Sequence, residues 1–435
     1  MLLELHNDVR ERIFEFICFN DLCNLSLCSR ASNKMCRPNL WKNVRVHLPH
    51  LVHTSSRHLK NMKEQLQYVN SLTLFSDYYY TPYYMRNSPS LMRKLYRRKQ
   101  NAKVVRKLLK YCDDLSLLNS CFLPVNIVQC LRHMDLQEVC LSGEAALDHL
   151  TIDKLCDVFP HLRSLAIQHE DYRDFCRSEQ YSEQMGQSIN KLKMLQKLKL
   201  RYSPISIQHI SGIVSLRELE LSRYWFLKDE YLHVLCSSLV NLNKLCVHHF
   251  ITNENPPPYT FSSVSLLVSL REFHMYAMDN PDTAISSLRS CKELRVLKIY
   301  SEVLKAYSED NFKYSLTDKG MAYISEMKKL HEVALVKSKR ITSSGFARLA
   351  HLPNLTTLCL DENDNVDDDC VKAISTIDTL KYLSLRKCSR LTKVAVSHLS
   401  TMKMLDRLFI RGCFQFSDKM ACHAMLAHVR WDDLT

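Results

Sequence analysis

The side chains with the clearest potential for chemistry form one acidic run near the C-terminus. Residues 361–369 read DENDNVDDD and place oxygen ligands at steps one, three, five and seven, as a calcium-binding loop does. However, Val366 stands where such a loop needs its turn glycine, and Lys372 occupies the position of the bidentate glutamate. We therefore expect an acidic loop exposed to solvent rather than a calcium site.

Cysteine and histidine residues indicate no metal or catalytic site either. None of the 18 Cys residues pairs in a C-x-x-C spacing, so we expect buried free thiols. His248 and His249 are neighbours in a predicted strand, and their side chains therefore point to opposite faces. The sequence also lacks G-x-S-x-G, P-loop and H-E-x-x-H motifs. We expect a protein that is not an enzyme and holds no cofactor.

An apolar phrase recurs along the chain: leucine, two variable residues, leucine, one variable residue, leucine. Copies start at Leu330, Leu355, Leu380 and Leu405, each 25 residues after the last. A period of this length predicts leucine-rich repeats, in which each unit supplies one short strand and one helix to a stack. A single unit cannot bury its apolar side, so neighbouring units must cover one another.

Earlier copies with looser spacing bring the total to about thirteen. They start at Val69, Cys112, Leu136, Leu162, Leu195, Leu216, Leu242, Leu270 and Leu294. Long steps between copies predict insertions near residues 76–110, 169–190, 251–262 and 301–316. The predicted fold is α/β, with a leucine-rich-repeat solenoid over residues 46–416 and a helical cap at 417–435. We expect parallel strands on the concave face of the solenoid and helices on its convex face.

The net charge of +13 is concentrated in one segment. Residues 86–110 contain ten Lys or Arg and no acid, which leaves the rest of the chain at about +3. A solvated basic helix or inserted arm is the expected structure. A dock for an acidic or phosphorylated partner, or for nucleic acid, stays open as an alternative. Five tyrosines between residues 78 and 84 favour a contact with some partner there.

The first 45 residues contain no leucine-rich phrase and follow a helical pattern instead. Val9, Ile13, Phe14 and Ile17 fall on one stripe of an amphipathic helix. Asn20 or Asp21 can cap a second helix. Three short helices of this size have too little core to stand alone. We expect them to pack against the first repeat or against a partner.

This N-terminal stretch resembles an F-box domain. The matching positions are Leu5, Ile13, Phe14, Asp21, Leu22, Leu25, Met35, Leu40 and Trp41. His6 and Ser32 stand where the family usually has Pro and Trp. Several later repeats carry a cysteine after the phrase, as at Cys388 and Cys413, which is similar to the cysteine-containing repeat class that typically follows an F-box. The chain is therefore identified as an F-box/leucine-rich-repeat protein, with an N-terminal three-helix F-box over residues 1–45.

The resemblance implies a substrate-recognition subunit of an SCF (Skp-cullin-F-box) ubiquitin ligase. In such proteins the F-box docks on a Skp-type adaptor, and through it on cullin and RING subunits. The repeats hold a protein substrate for ubiquitination and proteasomal degradation. The resemblance assigns adaptor binding to apolar side chains that fill grooves on the adaptor: Leu5, Ile13, Phe14, Ile17, Leu22 and Leu25. Ile13 and Leu25 are alternatively part of the F-box's own core.

The substrate surface is predicted on the strands. Because strand side chains alternate in direction, the variable positions beside the leucines face the concave surface. The middle repeats gather basic and aromatic residues there, which binding hot spots favour. The candidate substrate-binding residues are Lys199, Arg201, His248, His274, Tyr276, Lys298 and Tyr300. A generic solvated face is the alternative.

Two other functions remain open at this point. One is a leucine-rich-repeat protein-interaction scaffold that does not engage the ligase, which the departures at His6 and Ser32 allow. The other is a nucleic-acid binder that uses residues 86–110, which is not the expected partner class. No apolar run of membrane-spanning length occurs, and the N-terminus does not read as a secretory signal. With many reduced thiols, a cytoplasmic or nuclear location is expected.

Overall fold

The computed structural model of the chain forms two compact units, Met1–Leu195 and Gln196–Thr435. The described residues are 36–37, 40–47, 60, 62–75, 102–103, 105–121, 123–169, 181–203, 205, 207–222, 229–248, 261–276, 281–301, 315–413 and 429–431. In both units short parallel strands alternate with helices, so the prediction of an α/β leucine-rich-repeat solenoid is confirmed.

The described residues of the first unit form five strands whose order in the sheet follows their order in the chain. The strands are β1 (Asn43–His47), β2 (Ser71–Phe75), β3 (Leu117–Ser120), β4 (Glu138–Ser142) and β5 (Ser164–Gln168). The described helices include α1 (Lys63–Leu66), α2 (Val125–Val128), α3 (Gly143–Leu147), α4 (His149–Val158) and α5 (Ser182–Asn190), with a 3₁₀ turn at Gln129–Leu131. The Asp148 carboxylate caps α4 by accepting from the Leu150 N–H, which fixes where this helix begins.

The second unit continues the same alternation, again with parallel neighbours in chain order. Its strands are β6 (Lys197–Arg201), β7 (Glu218–Ser222), β8 (Lys244–His248), β9 (Glu272–Tyr276), β10 (Val296–Tyr300), β11 (Glu332–Val336), β12 (Thr357–Cys359), β13 (Tyr382–Ser384), β14 (Arg407–Phe409) and β15 (Arg430–Trp431). Its helices are α6 (Ile207–Ile210), α7 (Asp229–Ser238), α8 (Pro281–Leu288), α9 (Asp318–Ile324), α10 (Ser343–Ala347), α11 (Asp368–Ile374) and α12 (Lys393–Leu399), with 3₁₀ turns at Ser262–Leu266 and Arg348–His351.

The leucines of the repeated phrase form the core of each repeat. Leu355, Leu358 and Leu360 of one repeat are all fully buried, and the equivalent residues of the other repeats follow the same pattern. Burial of each such side chain contributes roughly 1.5–3 kcal/mol, which the helix of the repeat and the neighbouring repeats make possible. The phrase therefore decides both where a strand lies and which of its sides faces inward.

One predicted copy was misplaced by three residues. The phrase assigned to start at Cys112 would turn Leu117 inward, but Leu118 is buried and Leu117 is only partly so. Leu118 pairs in register with Leu72, which puts it in the row of core residues. The phrase of this repeat therefore starts at Leu115, and the buried side chain of Ser120 fills its last position.

Strands also occur at both ends of the repeat region. β1 begins at Asn43, inside the segment assigned to the F-box, and it pairs with β2 as a further repeat strand does. At the other end, a helical cap was predicted over residues 417–435, of which residues 417–428 lie outside the described part of the chain. The described residues there include the strand β15, whose Arg430 N–H donates to the Asp406 carbonyl and which extends the strand ladder.

Polar side chains connect successive repeats where the chain leaves each strand. The Asn363 amide donates to the Leu335 carbonyl at 2.6 Å, and the Cys388 thiol donates to the Leu360 carbonyl at 3.3 Å. Cys413 occupies the same position one repeat later and also donates to a carbonyl of the preceding repeat. A small polar or thiol side chain at this turn therefore satisfies backbone carbonyls of the preceding repeat.

The acidic run at residues 361–369 is part of this connection rather than a solvated loop. The Asp361 carboxylate accepts from the Ser384 hydroxyl at 2.6 Å, and the Asp368 carboxylate accepts from the Thr392 N–H at 2.9 Å. Val366, within the same run, is fully buried. The prediction of an exposed loop was wrong because these carboxylates bind the next repeat, a partner that the local sequence does not reveal.

Candidate functional site

On the second unit, the strand residues that alternate with the core leucines form an outer surface, the strand face. The register of β6 to β11 aligns these residues in three rows. The first row is Lys197, Glu218, Lys244, Glu272, Val296 and Glu332. The second row is Lys199, Glu220, Cys246, His274, Lys298 and Ala334. The third row is Arg201, Ser222, His248, Tyr276, Tyr300 and Val336.

All seven predicted substrate-binding residues lie on this strand face. They occupy the second row (Lys199, His274, Lys298) and the third row (Arg201, His248, Tyr276, Tyr300). The structure brings three of the third-row residues into direct contact and leaves the basic ones spread between β6 and β10. That these residues bind a substrate stays a prediction.

The three contacting residues form an aromatic stack. The rings of His248 and Tyr276 have centroids 3.8 Å apart, and those of Tyr276 and Tyr300 are 4.2 Å apart and nearly parallel, at 7°. Neighbouring strands lie about 4.8 Å apart, so equivalent residues on three adjacent strands stack with little displacement. Burial raises the pKa of both tyrosines, whose hydroxyls therefore stay protonated. The stack is a rigid amphipathic surface that a protein ligand can contact with little loss of side-chain entropy.

The lysines of the strand face are paired with glutamates on the next strand. The four pairs and their N···O distances are Lys197–Glu218 (3.0 Å), Lys199–Glu220 (3.0 Å), Lys244–Glu272 (2.7 Å) and Lys298–Glu332 (2.6 Å). Sequence reasoning missed these glutamates because it followed the basic and aromatic residues alone. The alternation of Lys and Glu at one position of successive repeats was the available signal. This part of the face is therefore close to electrically neutral.

His274 lies at the centre of the face in an unusual environment. Burial, with Lys244 and Lys298 nearby, lowers the pKa of its imidazole to about 4, so the ring is neutral at physiological pH. Its Nε2 lies 4.0 Å from the Glu272 carboxylate and has no hydrogen-bond partner among the described residues. In the neighbouring position, burial raises the pKa of the Cys246 thiol to about 12. These two residues therefore contribute neutral surface rather than charge.

A shallow depression lies over β6 to β9. Side chains from all three rows line it: Lys197, Lys199, Glu218, Glu220, Lys244, Cys246, His248, His274 and Tyr276. Of the predicted residues, Arg201, Lys298 and Tyr300 lie outside it. The lining combines ion-paired lysines and glutamates with the rings of His248, His274 and Tyr276 and the small side chain of Cys246. This arrangement suits one side chain of a protein ligand.

The predicted adaptor-binding residues, Leu5 to Leu25, fall outside the described part of the chain, as does most of the basic segment 86–110. Within the described ranges, no group of three or more His, Cys, Asp or Glu side chains is placed to hold a metal ion. The same ranges contain no helix that is both long and apolar enough to cross a membrane.

Comparisons with known proteins address the N-terminal segment. The family profile of the F-box domain matches residues 2–43, which confirms the predicted F-box. A comparison with curated protein sequences found no match. Among solved structures, the chain resembles an internalin from Listeria monocytogenes, with 15% identity and a TM-score of 0.43 over 69% of this chain and 81% of that chain. The repeat fold rests on the strands and register described above.

Proposed function

Because this chain is an F-box/leucine-rich-repeat protein, we propose that it is the substrate-recognition subunit of an SCF ubiquitin ligase. F-box domains typically bind Skp-type adaptors, and the adaptor joins them to cullin and RING subunits. In this proposal the strand face of the second unit holds a protein substrate. The substrate is then ubiquitinated and degraded by the proteasome. The observation that carries the proposal is the F-box match at residues 2–43 ahead of the repeats.

The strand face supports the binding role in this proposal. It presents the aromatic stack of His248, Tyr276 and Tyr300 beside a depression, and Tyr is a residue type that dominates binding energy in interfaces. A solenoid also offers many parallel strand positions, each of which can be altered without changing the core. The chain itself performs no chemistry here, since the conjugating enzyme recruited by the RING subunit transfers the ubiquitin.

Adaptor binding is the first test. Phe14→Glu and Leu22→Glu each place a charge where the F-box should insert an apolar side chain into the adaptor, so co-purification of Skp adaptor and cullin should be lost. Tyr276→Ala, on the strand face, is the matched control and should retain the adaptor. Wild-type protein that copurifies with no adaptor would instead support the scaffold function, which does not engage the ligase.

Substrate capture is the second test. Proximity labelling in cells with the proteasome blocked should compare wild type, Phe14→Glu and the face variant Tyr276→Ala. A substrate should be labelled by wild type and by Phe14→Glu, should accumulate when Phe14→Glu is expressed without proteasome block, and should be lost from Tyr276→Ala. Lys393→Ala, on helix α12 away from the strand face, serves as the control. Equal labelling by Tyr276→Ala and wild type would place the substrate elsewhere.

A further inference from the structure

The depression over β6 to β9 is lined by charged groups that compensate one another. Each of the two β6 lysines that line it, Lys197 and Lys199, pairs with the glutamate at the same register position of β7. Lys244 on β8 pairs in the same way with Glu272 on β9. Every lysine of the depression therefore already has a carboxylate partner.

These partners are charged and only partly exposed. Burial lowers the pKa of the Lys244 ammonium, but the hydrogen bond and the charge of Glu272 raise it by more, so the net shift is upward and Lys244 stays charged. The exposed fraction of the side chain is 33% for Lys244 and 31% for Glu220. A ligand that covers the depression therefore removes much of the remaining water from these pairs.

The rest of the lining is apolar or neutral. Cys246 and His274 stand opposite each other on β8 and β9, and both side chains are uncharged at physiological pH. The stacked rings of His248 and Tyr276 also line the depression, and Tyr300 extends the stack onto β10. An incoming side chain therefore meets neutral surface beside charges that already have partners.

We propose that the depression binds a segment of the substrate that carries no charged side chain and places an aromatic or aliphatic residue against the stack of His248 and Tyr276. This inference rests on the proposed substrate-binding role of the strand face and adds the class of segment that the face accepts. An uncharged side chain leaves every ion pair intact and gains apolar contact with the rings. A charged side chain would lose its water without gaining a free counter-charge, or would displace one partner of a pair and leave that charge unpaired.

Selection from a random peptide library displayed on phage tests this proposal. The full chain is immobilised, with its adaptor bound when co-purification supplies one, and the selection is run in parallel on wild type and on Tyr276→Ala. Peptides that bind both proteins are discarded, which leaves those that depend on the strand face. These peptides should be enriched in Tyr, Phe and Leu and depleted in Asp, Glu, Lys and Arg relative to the unselected library.

Two variants test whether the paired charges cause this preference. Glu220→Gln leaves Lys199 without its carboxylate, and Lys199→Gln leaves Glu220 without its ammonium group. One selected peptide is labelled in three forms, with its central apolar residue kept or replaced by Glu or by Lys, and fluorescence anisotropy measures the affinities. On wild type both charged forms should bind about tenfold more weakly than the uncharged form. Glu220→Gln should strengthen binding of the Glu form, and Lys199→Gln should strengthen binding of the Lys form.

The controls separate this effect from a general change in charge or folding. Glu293→Gln breaks a comparable pair, with Lys329, in the turns before β10 and β11 and away from the depression, so it should change none of the three affinities. The uncharged form should bind every variant within about threefold of wild type. All three substituted side chains are partly exposed, so thermal melts should match that of wild type.

Three results would overturn the proposal: Tyr276-dependent peptides rich in charged residues, no Tyr276-dependent peptide at all, or affinities of the charged forms that either variant leaves unchanged. Failure of the proposed ligase function would appear elsewhere, in the co-purification of the adaptor and in the labelling of substrates in cells. The two proposals can therefore fail separately.

Discussion

Asn363 should be among the most sensitive positions of the repeat region. Its side chain is fully buried and accepts from the Ser338 N–H at 2.6 Å while it donates to the carbonyls of Leu335 and Leu360 at 2.6 and 2.8 Å. Asn363→Ala leaves the Ser338 N–H and the Leu335 carbonyl in the core without these bonds. Each buried polar group left unsatisfied costs about 1–3 kcal/mol. We therefore expect a loss of about 3 kcal/mol in the free energy of unfolding.

Asn363→Cys should cost about half as much. In the two following repeats the thiols of Cys388 and Cys413 donate to the equivalent carbonyls, so a thiol at position 363 can keep the bond to Leu335. It cannot replace the amide oxygen that accepts from Ser338. The order of stability should be wild type, then Asn363→Cys, then Asn363→Ala.

Thermal and urea unfolding measure these losses, and hydrogen exchange on the peptide that contains Ser338 locates them. In a unit of this size, 1 kcal/mol shifts Tm by about 2–4 °C, so Asn363→Ala should melt about 6–12 °C lower. Asn354→Ala is the matched control because Asn354 is exposed and makes one bond, to the Lys328 carbonyl. An Asn363→Ala protein with a Tm like that of Asn354→Ala and unchanged exchange at Ser338 would refute the reasoning.

Three further perturbations test other parts of the structure. Asp318→Ala removes the acceptor of two bonds from Thr342, from its N–H at 2.8 Å and its hydroxyl at 2.7 Å, and should cost about 1–3 kcal/mol in urea unfolding. Gly412→Ala should cost about 1–2 kcal/mol, measured in the same way, because Gly412 has a φ of +81° and an added Cβ would lie 2.9 Å from the Lys387 side chain. His169 is 1% exposed, and burial lowers its pKa from 6.5 to about 4. The unfolded state therefore binds the proton more readily than the folded state. The contribution to stability is complete above pH 6.5 and falls by up to about 3 kcal/mol as the pH drops toward 4. Thermal melts at pH 7.5 and 5 should show this loss for wild type and not for His169→Leu.

The repeats were predictable because burial selects leucine so strongly. Where the three positions of the phrase face inward, their leucines are enough to indicate a strand, as at Leu355, Leu358 and Leu360. The prediction failed where the apolar residues fitted the phrase in more than one way, or where its leucines were missing. Leu117 and Leu118 are both apolar, and only pairing with neighbouring strands decides which one is buried. β1 and β15 lack the leucines of the phrase: Val44 and Val46 of β1 pair with Leu72 and Leu74, and β15 extends the ladder beyond β14.

The backbone turn after each strand shows a second limit of sequence reasoning. Lys337, Glu362 and Lys387 occupy the same position of successive repeats and all adopt a left-handed conformation, with φ between 56° and 59°. Only Gly412, at the next equivalent position, is a residue type that favours it. The N–H groups of Lys337, Glu362 and Lys387 donate to carbonyls of the next repeat, which holds the turn in place. Contacts between repeats override local preference here.

In the candidate site, the direction of each side chain follows from the sequence of its own strand, whereas its charge environment depends on how the strands pair. Alternation along a strand correctly placed all seven predicted residues on the strand face. The charge of that face depends on the register, because Lys298 is neutralised by Glu332, a residue 34 positions away that only the pairing of β10 with β11 brings to 2.6 Å. The pKa of the His274 imidazole is likewise lowered first by burial in the sheet and then by Lys244 and Lys298 on the flanking strands.

The spacing of strands explains why the middle of the strand face is close to neutral. At about 4.8 Å between strands, a side chain reaches its counterpart on the next strand but not the one beyond. A Lys opposite a Glu is therefore neutralised locally, as at Lys199 and Glu220. An anion placed in the middle would meet carboxylates one strand away from every lysine, so an uncharged ligand segment should bind there better than an anionic one.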